Sequence, residues 1–154
     1  MADMKIVYQH EIDLSVYREA GLTADIVWRA LEDFARKPHE FIETLSASKS
    51  KEVASDTTLR LERELNFGKV KVMDVIEFAK PRMTTLVPAQ GNIGASRFDI
   101  DLIENDQKFS LRFSYSENPI PGVSDNRQIQ GLREKAWLMK DRDIVRRILE
   151  RNCA

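Results

Sequence analysis

The chain has 154 residues, enough for one domain that buries roughly two thirds of its unfolded surface. Hydrophobic residues make up 42% and charged residues 32%, with a formal net charge of −1, which describes a soluble globular protein and argues against a nucleic-acid binder with its basic stripe. No apolar run approaches the roughly 20 residues needed for stable membrane insertion. The start, Met1-Ala2-Asp3-Met4-Lys5, has no apolar signal region, so a cytoplasmic location is expected. Cys153 is the only cysteine, which excludes an internal disulfide; with only His10 and His39 beside it, no metal site is expected.

In chain order, Ile6, Tyr8, His10, Ile12 and Leu14 alternate with Val7, Gln9, Glu11 and Asp13, the period of a half-buried strand. This predicts a first strand near residues 5–14, with Tyr8 and His10 in its inward row. His10 is one of few inward groups that titrate near neutral pH; the plainer reading is a core imidazole bonded to backbone. Thr23 then reads as an N-cap with Asp25 in the first turn. Val27, Ala30, Leu31 and Phe34 recur on one helical face, and Pro38 stops that helix near Lys37. Trp28 reads as core packing, and His39 to Ile42 suggest a short second helix. From Thr44 to Val53, serines alternate with lysines and small apolar residues, which suits an edge strand guarded by lysines.

The stretch from Thr57 to Phe78 is the most strongly patterned. Leu59, Leu61, Leu65 and Phe67 alternate with Arg60, Glu62, Glu64 and Asn66; after Gly68, Val70, Val72, Ile76 and Phe78 alternate with Lys69, Lys71 and Glu77. A two-residue turn at Phe67-Gly68 puts both apolar rows on one face. Arg63 and Asp74 interrupt those rows. In this register they are diagonal neighbours, about 7–8 Å apart at the backbone. An inward arginine with an acidic partner is a device for holding a polar group in an otherwise apolar cavity. The plain alternative is a buried pair that only fixes the register.

Lys80-Pro81 marks a turn before a short strand from Arg82 to Val87, with Met83, Thr85 and Val87 on one side. Pro88 to Gly94 is a loop that lacks the glycine pattern of a nucleotide cradle, so no cofactor is expected. Ser96, Phe98, Ile100 and Leu102 form one further inward row, and Phe109, Leu111, Phe113 and Tyr115 another, joined by a turn at Asn105-Asp106. Asp125 with Gln128 resembles a capping pair for a last helix reaching about Glu150. Ile129, Leu132, Ala136 and Met139 form one stripe on it; Trp137, Ile144 and Ile148 form a second, flanked by Leu138, Val145 and Leu149. Both stripes are expected to bury, against different surroundings.

Short strands with tight turns favour an antiparallel meander over βαβ crossovers. The expected solid is α+β: a curved antiparallel sheet of six or seven strands around the long C-terminal helix, with one or two short helices after the first strand. It forms a single domain over residues 1–154. This order resembles the helix-grip fold of the START-like (SRPBCC) superfamily, which includes lipid-transfer domains, polyketide cyclases and plant pathogenesis-related allergens. Leu61 to Gly68 is similar to the Arg-Glu-hydrophobic-x-Phe-Gly run of one subgroup. Ala136 to Val145 resembles that subgroup's Ala-Tyr…Ala-Asp-Ile-Asp-Thr-Val stretch, with Trp137 standing where the pattern has tyrosine. The subgroup is of largely unknown function and is related to a protein of the acetylaranotin biosynthetic cluster. The resemblance implies a small hydrophobic ligand with a polar or anionic head, held between sheet and helix. Candidate ligand-binding residues are Arg63, Asp74, Tyr8, His10, Leu61, Phe98, Phe113 and Tyr115. A rival is an enzyme of the cyclase, aromatase or dehydratase kind, in which Arg63 stabilises enolate charge and His10, Tyr8, Tyr115 or Asp74 moves protons. A third reading is an interaction module with a solid interior and no ligand.

Overall fold

The alternating rows become strands in the structure, a computed structural model that describes residues 4–42, 45–54 and 59–152. Strand β1 (Lys5–Asp13) leads into helix α1 (Ala24–Arg36). Six strands follow: β2 (Ala47–Ala54), β3 (Leu59–Phe67), β4 (Val70–Ala79), β5 (Arg82–Val87), β6 (Ser96–Glu104) and β7 (Phe109–Glu117). Helix α2 (Arg127–Asn152) comes last. The strands form one curved seven-stranded sheet in the order β1-β7-β6-β5-β4-β3-β2, every neighbouring pair antiparallel. Among the described residues, no helix is long and apolar enough to cross a membrane.

Local chemistry explains where elements begin and turn. Thr23 caps α1 as expected: its hydroxyl oxygen accepts from the Ile26 N–H at 3.2 Å. Val27, Trp28, Ala30, Leu31 and Phe34 are all buried. After Lys37 the chain makes only one 3-10 turn, Pro38–Glu40, where a short second helix was expected. β2 is an edge strand, with Lys49 and Lys51 exposed; Thr44 lies outside the described residues. In β1 the register shifts between Ile6 and Tyr8. That bulge breaks the alternation, so Ile6 leaves the inward row and is 60% exposed.

Two corrections concern register and capping. The β3–β4 turn is centred on Gly68 and Lys69, not Phe67 and Gly68, since Phe67 pairs with Val70. Gly68 takes φ +81°, which suits the first central position of a tight hairpin, and the Asn66 side chain accepts its N–H at 3.0 Å. Arg63 therefore stands directly opposite Asp74 rather than diagonal to it. The change slides the pairing by two residues, which keeps every side chain on its face; apolar alternation cannot distinguish the two registers. At α2, Asn126 is the cap, accepting from the Ile129 N–H at 3.1 Å, in place of the Asp125–Gln128 pair.

The core lies on the concave face. Leu61, Ile76, Met83, Ile100, Leu111 and Phe113 meet Leu31 and Phe34 of α1 and Ile144, Val145 and Ile148 of α2. The opposite stripe of α2 is a correction: Leu132 is 69% and Met139 60% exposed, with Ile129 and Ala136 exposed as well. One sheet covers one side of a helix, so only the Trp137–Ile148 stripe finds a partner. The C-terminal half of that stripe is aliphatic and fills its space. Toward the N-terminus the same face carries Arg133, Trp137 and Lys140, and there the interior opens.

Candidate functional site

A cavity of about 750 Å³ lies between the concave sheet face and the N-terminal half of α2. Leu65, Ile76, Val87, Phe98, Trp137 and Ile144 supply much of its apolar wall, and Pro119 to Pro121 border it. A separate groove of about 550 Å³, between the end of β1 and the C-terminal half of α2, is lined by Ile12, Tyr17, Val145 and Leu149, and its charged residues, Asp13, Arg142, Arg146 and Glu150, are all exposed.

Arg63 is on the wall of the main cavity but its charge is already met. Its Nε and Nη2 donate to the two oxygens of Asp74 at 2.7 and 2.6 Å, and Nη1 donates to the Ala35 carbonyl at 2.9 Å. Arg63 and Asp74 are only 6% and 4% exposed. The bond to Ala35 also uses an end carbonyl of α1, which has no partner within its helix. The arrangement ties β3, β4 and α1 together, and offers a ligand no free carboxylate and little free guanidinium.

A second polar group was not expected from the sequence. Asp141 projects from α2 into the interior and is fully buried. Its Oδ2 lies 2.7 Å from His10 Nε2, and the Tyr115 hydroxyl donates to Oδ2 at 2.7 Å and Oδ1 at 2.8 Å. Burial raises the Asp141 carboxyl above its ordinary value of 3.8. Burial first, and then the Asp141 charge, raises Tyr115 far above the usual phenol range, so its hydroxyl remains a donor. His10 stacks on Phe113 at 5.1 Å, and its buried Nδ1 has no partner among the described residues. The chain of hydrogen bonds thus runs from Tyr115, which lines the cavity, back to His10, which does not.

Lys140 sits one residue before Asp141 and faces the cavity. Its ammonium lies 5.0 Å from the Phe98 ring centre and 5.1 Å from that of Tyr115. The nearest carboxylate oxygen, Asp141 Oδ1, is 3.9 Å away, and among the described residues Lys140 makes no hydrogen bond. Burial among protein atoms pulls its pKa down, although 41% of the side chain remains open to solvent. Near the mouth, Arg133 donates to Glu117 Oε2 at 2.6 Å and stacks over Trp137 at 4.7 Å. Glu117 Oε1 and Asn118 Oδ1 are buried there without a partner among the described residues.

Of the residues singled out in the sequence, Arg63, Phe98 and Tyr115 border the cavity. Asp74 stands behind Arg63. Tyr8 packs beside the site, its ring 6.0 Å from Trp137 and 6.2 Å from Tyr115. Leu61 and Phe113 belong to the closed core. Sequence reasoning passed over Lys140, Asp141, Arg133 and Glu117. Asp141 had a signal: it lies four residues after Trp137 and three before Ile144, on the buried stripe, where a carboxylate calls for a partner.

An antiparallel seven-stranded sheet gripping a C-terminal helix defines a helix-grip protein. The chain belongs to the family described as acetylaranotin biosynthesis cluster protein L, whose model matches residues 8–152. None of the curated proteins matches the sequence. TTHA0849 from Thermus thermophilus is similar in structure, with a TM-score of 0.58, 12% identity, and coverage of 94% of this chain and 97% of that one. The Zhui aromatase/cyclase from Streptomyces sp. R1128 is similar with a TM-score of 0.61 and 10% identity, covering 97% of this chain and 93% of that one. At these identities the likeness establishes the fold.

Proposed function

We propose that the protein is a single-domain, cytoplasmic binder of a small hydrophobic molecule with a polar head, taken up between sheet and α2. The observation that carries this reading is the cavity of about 750 Å³, which falls within the roughly 300–1,000 Å³ of small-molecule sites and combines apolar walls with a few convergent polar groups. A solid interior would have supported an interaction module instead. The test is titration with a neutral solvatochromic naphthalene dye. A blue-shifted, saturable signal is expected, and Val87→Trp, which places an indole in the cavity, should remove it. No binding by the wild-type protein, or binding that Val87→Trp leaves intact, would overturn the reading.

A second reading has its own support: the hydrogen-bond chain from the cavity wall through Tyr115 and Asp141 to His10. In such a chain the Tyr115 hydroxyl can donate to a bound carbonyl oxygen and so acidify the adjacent C–H, whose proton passes to water. On this reading the protein is an enzyme of the cyclase or dehydratase kind. A naphthyl 1,3-diketone should then exchange its C–H protons in D2O faster with protein than in buffer alone. Tyr115→Phe should abolish the gain; exchange no faster than buffer would leave binding as the function.

A further inference from the structure

We propose that Lys140, rather than Arg63, is the anion-binding group of the cavity, and that the ligand is a planar aromatic bearing a carboxylate. This rests on the ligand-binding reading above and specifies its chemistry.

Four cationic residues border the cavity: Arg63, Arg97, Arg133 and Lys140. Three already have a carboxylate within hydrogen-bonding distance. Arg63 has Asp74 at 2.6 Å, Arg97 has Asp99 at 2.9 Å, and Arg133 has Glu117 at 2.6 Å. Lys140 does not, because both oxygens of Asp141 are engaged by Tyr115 and His10, and the closer one stands 3.9 Å from its Nζ. With 41% of its side chain open to solvent, the Lys140 ammonium is hydrated at the cavity wall and takes no hydrogen-bond acceptor from the described residues. A ligand carboxylate would replace that water with a charge-assisted hydrogen bond.

The surrounding rings define the rest of the ligand. Phe98 and Tyr115 are stacked at 4.7 Å and 28°, and Tyr115 and Trp137 at 4.5 Å and 11°. All three border the cavity. Together they present an aromatic wall against which a flat aromatic molecule can pack. Lys140 lies over two of these rings, which puts its ammonium within reach of an anionic substituent on a ligand packed beside them. Elsewhere on the lining, Glu117 Oε1 and Asn118 Oδ1, without a partner among the described residues, suit a hydrogen-bond donor and not a second anion. The ligand therefore carries a single acidic group.

The test uses 2-naphthoate and its methyl ester, with affinities measured by calorimetry on the wild-type chain and on Lys140→Met, Lys140→Arg and Arg63→Met/Asp74→Asn. Wild type should prefer the acid by roughly ten- to hundred-fold, the scale of one hydrogen bond to a charged group. Lys140→Met should bind both alike, while Lys140→Arg and the double variant keep the preference. Circular dichroism checks that each variant is folded, and the comparison of acid with ester in the wild type does not depend on any variant. Equal binding of acid and ester by wild type would overturn the inference and leave the cavity reading standing. A preference that survives Lys140→Met but is lost in the double variant would return the role to Arg63. Binding of neither compound would count against both the inference and the reading on which it rests.

Discussion

Asp141 is fully buried, and the sign of its effect on stability follows from its raised pKa. Below its ordinary value of 3.8 it is protonated in both folded and unfolded chains and costs nothing. As pH rises above that value the unfolded chain loses the proton first, so stability falls until the folded carboxyl titrates in turn. Asp141→Asn keeps an acceptor for Tyr115 and has no such dependence. Its Tm relative to wild type should therefore rise as the pH is raised above about 4. The lowered carboxyls of Glu11, Asp13, Asp25 and Asp143 act in the opposite direction at lower pH, and are common to both proteins. A Tm difference that stays flat across this range would refute the assignment. Arg63 and Asp74 make a different prediction. Arg63→Met strands a buried carboxylate and should cost about 3–5 kcal/mol in denaturant unfolding, most of it recovered in Arg63→Met/Asp74→Asn. Equal losses in the single and double variants would mean the pair is uncoupled. Arg63 and Asp74 were legible because charges interrupt an apolar row. Lys140 was not, because a lysine on a helix ordinarily reads as solvated.

At the scale of elements, α2 carries two apolar stripes of which one is buried. Ile148 is 2% exposed against the sheet, and Ile148→Ala should cost about 2–5 kcal/mol. Leu132 is 69% exposed, and Leu132→Ser should change stability by no more than about 0.5 kcal/mol. Chemical denaturation of both variants checks the contrast; similar losses would mean the outer stripe is covered in solution. Asn126→Ala should cost about 1 kcal/mol by removing the cap, while Asp125→Ala should not. Periodicity announced a helix here, but two stripes of similar strength left its orientation open. Packing against one concave sheet decided it.

For the whole molecule, the open sheet leaves β1 and β2 as edges. On β2, Lys49 and Lys51 are exposed and discourage edge-to-edge pairing. Replacing both with valine should promote association, read as increased light scattering with concentration; a variant as monodisperse as wild type would show that the lysines are not needed for protection. The cavity is likewise a property of the whole, since its wall draws on α1, α2 and the strands from β3 to β7.

The sequence by itself determined the order of the strands and long helices and, apart from the bulge that turns Ile6 outward, the inward rows of the strands it patterned, because these follow from local periods of two and 3.6 residues. It also marked Arg63 and Asp74 as inward charges. Tertiary structure alone decided the β3–β4 register, since a slide of two residues leaves the pattern unchanged, and it chose which stripe of α2 is buried. It also brought Tyr115, Asp141 and His10 together and left Lys140 facing open space. Those relations join side chains far apart in the chain, and no local pattern records the distance between them.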